Sequence, residues 1–292
     1  MFKINVWWLA IRPKTLWVSI SPVIVGSSFA LNQLQDSFSY LISAITLFAA
    51  LLIQILSNLI NDLYDFKKGV DNINRLGPLR VMQGNLISEK EMKNFIMFVL
   101  FATVLLGLFL VIKGGSVILL IGLASIISAF IYTAGPYPLA YNGLGEVFVF
   151  IFFGVLAVEG TYFLQYKIFS FKILYYSFSI GSLASAILVV NNLRDIENDR
   201  IMNKKTLAVR FGERFSRLEF SVLICLAYFF SLPLIFDYFA TIIIFFSLPF
   251  AMYLIYYANN EKGEQLNWLL ENTSKLLIIY SLLLSAGLII DV

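Results

Sequence analysis

Histidine is absent from the 292 residues, cysteine occurs once, and only 13% of positions carry charge. Without imidazole, histidine-ligated zinc or haem and histidine acid–base catalysis are removed from consideration. The single thiol, Cys225, cannot close an intrachain disulfide. Soluble domains charge roughly a quarter of their residues. A 13% share beside 60% hydrophobic residues therefore excludes an ordinary water-soluble globule. The formal charge of +3 is too small to suggest nucleic acid as a partner. Ten-residue segments of period-2 alternation are missing too, which argues against a transmembrane barrel. Carboxylates, amides, Tyr, Lys, Arg and hard metal ions are what remain for chemistry.

Long apolar runs, by contrast, are abundant. They lie at roughly 15–34, 41–61, 95–112, 116–134, 144–164, 173–191, 218–235, 238–257 and 274–291. In lipid a backbone must satisfy its own hydrogen bonds, so such runs are helices. The pattern predicts an all-α polytopic bundle of nine transmembrane helices, a single membrane-embedded domain over residues 1–292, with the lipid bilayer as its surroundings. The first run lacks a small-residue cleavage signature and reads as a retained span. Trp7 and Trp8 before it suggest an amphipathic segment lying on the membrane. With the N-terminus inside, 18 of the 21 Lys and Arg fall on one side and only Lys113, Lys167 and Lys172 on the other. That split follows the positive-inside rule and places the N-terminus and both long loops, about 62–94 and 192–217, in the cytoplasm of a cell with a bacterial inner membrane.

Two polar stripes end spans on that face. Asn58, Asn61, Asp62 and Asp65 are spaced i, i+3, i+4 and i+7, one face of a helix if the second span continues. Asn191, Asp195 and Asp199 recur every four residues at the end of the sixth. Acids at membrane depth are costly and mark function. Hard oxygen donors without soft ligands favour Mg²⁺, which binds a few carboxylates and shares substrate phosphates. Lys67, Lys68, Arg75, Arg80, Arg194, Arg200, Lys204 and Lys205 stand around the stripes and could grip the same phosphate oxygens. A polyprenyl diphosphate has the matching shape: an anionic head at the interface and a hydrocarbon tail between helices. Asn61-x-x-x-Asp65 and Asn191-x-x-x-Asp195 further hint at a four-helix pseudo-repeat with the site between its halves.

At these residues the chain resembles the UbiA superfamily of intramembrane aromatic prenyltransferases, which has nine helices and two aspartate-rich motifs. The first maps to Asn61, Asp62 and Asp65 with Asp71 following, and the second to Asp195 and Asp199. Asp65–Asp71, Arg80–Gly84, Tyr132–Leu139, Gly143–Glu146 and Asn191–Arg200 together look like the 1,4-dihydroxy-2-naphthoate polyprenyltransferases. The resemblance implies Mg²⁺-dependent prenyl transfer to 1,4-dihydroxy-2-naphthoate with loss of CO₂, giving demethylmenaquinone. It implies catalysis by Asp62, Asp65, Asp195 and Asp199, metal binding by these four and Asn61, and substrate binding by Asn58, Asn61, Lys68, Asp71, Arg80, Tyr137, Asn191, Arg194 and Lys204.

Other readings stay open at this stage. Tyr137 and Tyr141 serve equally as interface anchors or substrate contacts. Glu146 could face the pocket, and Glu159 is expected to snorkel. Asn203 stands where the family shows Gly, and Asn tolerates the left-handed turn better than most residues. Another aromatic acceptor such as 4-hydroxybenzoate is the alternative within the enzyme class, and an ion-coupled membrane transporter the alternative outside it.

Overall fold

A computed structural model of the chain describes residues 3–71 and 76–291, apart from the side chains of residues 3 and 4. Arg75, expected near the acidic stripes, lies outside the described residues, as does the side chain of Lys3. Lipid-compatible sequence gives helices throughout, and no strand occurs among the described residues. In order they are α1 Lys3–Ile11, α2 Trp17–Leu34, α3 Tyr40–Lys67 and α4 Glu89–Ile131. After α5 Gly145–Tyr166 come α6 Phe171–Arg194 and the short α7 Ile196–Ile201 and α8 Leu207–Phe211. The chain finishes with α9 Glu213–Asp237, α10 Phe239–Asn260 and α11 Gly263–Ile290.

Seven of these helices are long and apolar enough to cross a membrane, or eight if the bent pair α1–α2 is one span, so the expected count of nine is not confirmed. The difference has two sources. The expected spans at 95–112 and 116–134 lie on either side of Gly115 in α4, whose 43 residues would extend about 65 Å if straight, twice the hydrocarbon core. Gly115 breaks it with φ 67° and ψ −155°, a conformation that glycine supplies without steric cost. At the N-terminus, α1 meets α2 at 52°. As expected of an amphipathic segment, α1 buries Val6 and Ala10, packs Trp7 against Phe95 with ring centroids 4.4 Å apart and planes tilted by 50°, and exposes Trp8.

The two long loops are also more ordered than the apolar runs implied. Helix α3 continues to Lys67, capped at its start by Ser39, and the loop after it ends at a reciprocal Ser88–Glu91 capping box. Residues 192–217 hold the end of α6, all of α7 and α8, and the start of α9.

Helix α6 is the central strut, with 78% of its membrane window buried. Its Ser179, Ser182 and Ser185 are small enough to admit close neighbours, and each hydroxyl bonds a backbone carbonyl. Opposite it, Phe150–Leu156 of α5 forms a wide π-helical turn. The two backbones nearly touch there: a Cβ on Gly154 would lie 2.4 Å from the Gly181 Cα. Glu159 does not snorkel. It is buried and accepts the Ser170 backbone N–H at 2.6 Å, which completes the first turn of α6.

The Gly154–Gly181 crossing has no room for a side chain, so Gly154→Val is expected to destabilise the bundle by about 1–3 kcal/mol or more through overpacking. Thermal unfolding of the purified protein in detergent checks this, and an unchanged midpoint would contradict it.

Candidate active site

Because α3 continues unbroken through Asp65, its stripe stays on one face as the spacing required. Each member then takes its own partner. The Asn58 Nδ2 donates to the Ile11 carbonyl at 3.0 Å and the Thr15 Oγ1 at 3.3 Å, tying the α1–α2 elbow to α3. The Asn61 Oδ1 accepts from the Thr133 hydroxyl. Asp62 accepts the Met82 backbone N–H at 3.4 Å. Asp65 receives the Arg80 Nη1 and the Tyr141 hydroxyl, both at 2.7 Å.

The loop after α3 folds back to supply the counter-charge. Arg80 Nη1 also meets Asp71 at 2.7 Å, so one guanidinium bridges two carboxylates while its side chain is only 11% exposed. Burial opposes the Arg80 charge, but Asp65, Asp71 and Asp62 outweigh it and hold its pKa above the ordinary arginine value.

The second stripe is built differently from its sequence spacing. Helix α6 ends at Arg194, and Asp195 sits at the break with φ −93° and ψ 9° before α7 begins. The Asp199 N–H still bonds the Asp195 carbonyl at 2.8 Å, which keeps the two acids one turn apart. Arg194 forks onto Asp195, with Nε at 2.9 Å and Nη2 at 2.5 Å, and reaches Asn191 and Asn267 as well. Lys204 meets Asp199 at 3.3 Å. Burial disfavours its charge, yet Asp199, Asp65 and Asp195 together raise its pKa. Burial pushes the Asp199 carboxyl up to about 6, with Lys204 drawing it down and Asp195 adding to the rise.

Asn203 adopts φ 55°, the left-handed turn at the position where the resembled family has glycine, and the next N–H, that of Lys204, returns to the Asp199 carbonyl at 2.8 Å.

The stripes converge. Lys204 feels the charge of Asp65 on α3 as well as its own two neighbours, and the Asn198 Nδ2 donates to the Val70 carbonyl at 3.0 Å, joining the loops behind them. Tyr141 stands between, with its hydroxyl on Asp65 and its ring under Lys68 at 4.3 Å and Lys204 at 5.8 Å. Lys68 donates to the Thr133 carbonyl at 2.8 Å.

Of the sequence candidates, Tyr137 is left aside, 63% exposed and outside the cluster, and Lys67 and Arg200 pair instead with Glu89 and Glu197. In the turn at 135–143, which holds Pro136 and Pro138 and no charge, Tyr141 is the residue that reaches the cluster, and the weak signal for this was a tyrosine in a charge-free loop on the charged face. Asn192 and Glu146 were also missed as a pair. The Asn192 Nδ2 donates to Glu146 at 2.7 Å, so Glu146 supports the pocket wall from behind.

Beneath the charges lies a cavity of about 430 Å³. Asn58, Asn61, Asp65, Arg80, Asn191 and Lys204 line its polar end. From there it follows α5 from Phe148 to Leu164, about 24 Å of helix, between largely apolar walls.

The donors fit a hard divalent cation, being carboxylate and amide oxygens only. Among the described residues no three acids gather into a closed metal cage. That suits an ion held by a few protein oxygens and completed by phosphate. Five carboxylates, Asp62, Asp65, Asp71, Asp195 and Asp199, face four cations, Lys68, Arg80, Arg194 and Lys204, so this constellation is close to neutral. Positive charge brought by metal ions is what would let it hold a diphosphate.

A profile described as the UbiA prenyltransferase family matches residues 19–269. A 1,4-dihydroxy-2-naphthoate octaprenyltransferase of Escherichia coli strain K12 is 40% identical over 238 residues, 78% of this chain and 77% of its own length. One of Haemophilus influenzae is 38% identical over 231 residues, covering 77% and 75%. The solved structure of a UbiA homolog from Archaeoglobus fulgidus bound to DMAPP and Mg2+ superposes with a TM-score of 0.69 at 18% identity, over 96% of this chain and 99% of that one.

Arg80→Ala strands Asp65 and Asp71 without the cation they share and should cost about 3–5 kcal/mol of stability. A thermal midpoint equal to that of the unsubstituted protein would contradict the bridging role.

Proposed function

The chain belongs to the UbiA prenyltransferase family, and from that membership we propose that it moves a polyprenyl group from polyprenyl diphosphate onto 1,4-dihydroxy-2-naphthoate. The carboxylate leaves as CO₂ and the direct product is the reduced quinol, demethylmenaquinol, which a separate two-electron oxidation converts to demethylmenaquinone. The observation that carries this reading is the cavity itself, with two acidic stripes and their basic partners at one end and an apolar tube at the other.

The head of the donor belongs among Arg80, Arg194 and Lys204, whose present carboxylate partners can turn to metal ions instead, and Lys68, which now donates to the Thr133 carbonyl. Asn61, Asp62 and Asp65 from α3, with Asp195 and Asp199 from the second stripe, would hold Mg²⁺. Bound there, Mg²⁺ neutralises the diphosphate and makes it a better leaving group. As the allylic C1–O bond breaks, its electron pair goes to the diphosphate, where Arg80 and Lys204 stabilise the growing charge in a water-poor site. Phe148 and Phe152 line the cavity below and can shield the allylic cation with their ring faces. The acceptor's electron-rich ring carbon then forms the new C–C bond. Loss of CO₂ from that carbon returns the electron pair to the ring, so no proton need be removed and a histidine-free site suffices.

The 18-to-3 distribution of Lys and Arg supports a cytoplasmic site in a bacterial inner membrane. A carrier would instead place its binding groups near the midplane, whereas these acids gather at one end of α3 and α6.

Purified protein given both substrates should form prenylated product with Mg²⁺ and none in excess EDTA. Asp65→Ala and Asp195→Ala should each lower turnover at least roughly 10²-fold. Full turnover in EDTA would overturn the metal role. Product from 4-hydroxybenzoate and none from the naphthoate would reassign the acceptor.

A further inference from the structure

One polar residue of the cavity has no part in the diphosphate site. Gln54 lies on α3 at the spacing 54, 58, 61, 65, so it extends the polar stripe one turn past Asn58, about 6 Å further from the charges. It lines the cavity, is only 9% exposed, and its Oε1 is buried without a hydrogen-bond partner. Ser19 of α2 has the same character: it lines the cavity, is 2% exposed, and its Oγ has no partner.

Register brings the two to one level. Helices α2 and α3 are antiparallel, with Thr15 against Asn58 near the charges and Ser27 against Ser43 further along. Four residues onward in α2 and four back in α3, Ser19 stands at the depth of Gln54. A side-chain amide oxygen and a hydroxyl, both without partners, thus share one level of the cavity wall. Unpaired buried polar groups are unfavourable, and a prenyl tail has no polar atom to offer them. The diphosphate head is too far along the stripe to reach them, because Asp65 is eleven residues beyond Gln54, about 16 Å of helix.

We propose that Gln54, assisted by Ser19, is the specificity-determining contact for the aromatic acceptor and hydrogen-bonds the ring hydroxyl that lies farthest from the diphosphate. This rests on the prenyltransferase reading above. A bicyclic ring whose reactive carbon meets the donor near Asn58 and Asn61 extends about one helical turn deeper, to the level of Gln54. The amide can present either its oxygen or its nitrogen by turning about its last torsion, so it can accept from a phenol. The contact fixes which ring edge faces the donor and discriminates against rings that lack the second hydroxyl, which leave the amide unpaired.

The test compares full-length wild type with Gln54→Leu, which keeps the volume and removes the amide, in detergent with Mg²⁺ and a polyprenyl diphosphate. KM is measured for 1,4-dihydroxy-2-naphthoate and for the diphosphate, and 1-hydroxy-2-naphthoate serves as a competitor lacking the far hydroxyl. Loss of one hydrogen bond should raise the KM of the dihydroxy acceptor about tenfold. The competitor's inhibition constant and the KM of the diphosphate should stay within about twofold, and Ser19→Ala should shift the same acceptor in the same direction by less. Equal losses for both naphthoates, or an unchanged KM for the dihydroxy acceptor, would overturn the inference while leaving the prenyltransferase reading intact. A wild type that makes no prenylated product would overturn both. A melting midpoint of Gln54→Leu at or above that of wild type accompanies the expected result, since the exchange removes an unpaired polar group.

Discussion

Five carboxylates withdrawn from water at one end of an apolar bundle require compensation, and the architecture around them is the form that compensation takes. Asp65 and Asp71 oblige the loop after α3 to return Arg80 to them. Asp195 engages Arg194 in a fork, and Asp199 draws in Lys204. A buried ion pair contributes little net stability, yet losing one partner is severe. These pairs therefore specify where the loops lie more than they hold the fold together. The fold rests on the apolar cores that join α2, α5, α6 and α9–α11 on one side and α1, α3 and α4 on the other.

Between those cores the cavity combines two solvents. Its charged end suits an anionic head, and its walls along α5 suit hydrocarbon. The π-helical turn at Phe150–Leu156 shifts the register of α5 where it passes the cavity, while Gly154 and Gly181 let the same turn approach α6 closely. Close packing on one side and open space on the other thus come from one local departure from α-helical geometry.

Much of this was legible beforehand. The helix-spaced stripe from Asn58 to Asp65 needed only that α3 continue, which it does. The left-handed turn at Asn203 was readable because asparagine stands where the resembled family shows glycine. The two runs flanking Gly115 were visible in hydropathy, and the backbone does leave helical geometry there, whereas the bend between α1 and α2 has no mark in the apolar runs. Tyr141 was missed in favour of Tyr137 because the inward residue of a turn is chosen by tertiary packing, which has no period in the sequence. Glu159 was misassigned for a related reason: depth along a span was visible, but the exposed N–H of Ser170 that it satisfies was not. The break at Asp195 likewise has no compositional mark.

The counter-charges have a further property that concerns biogenesis. Arg80 lies 15 positions from Asp65 and 9 from Asp71, and Arg194 is adjacent to Asp195. Lys204 follows Asp199 within the same short stretch. The bond from Asn198 to Val70, by contrast, spans 128 positions. As the ribosome delivers the chain to the membrane, each acidic group therefore meets a neutralising partner from its own nascent segment long before the other half has been translated. Neither half need wait in lipid as a bare anion, and the late event in assembly is the docking of two already discharged surfaces.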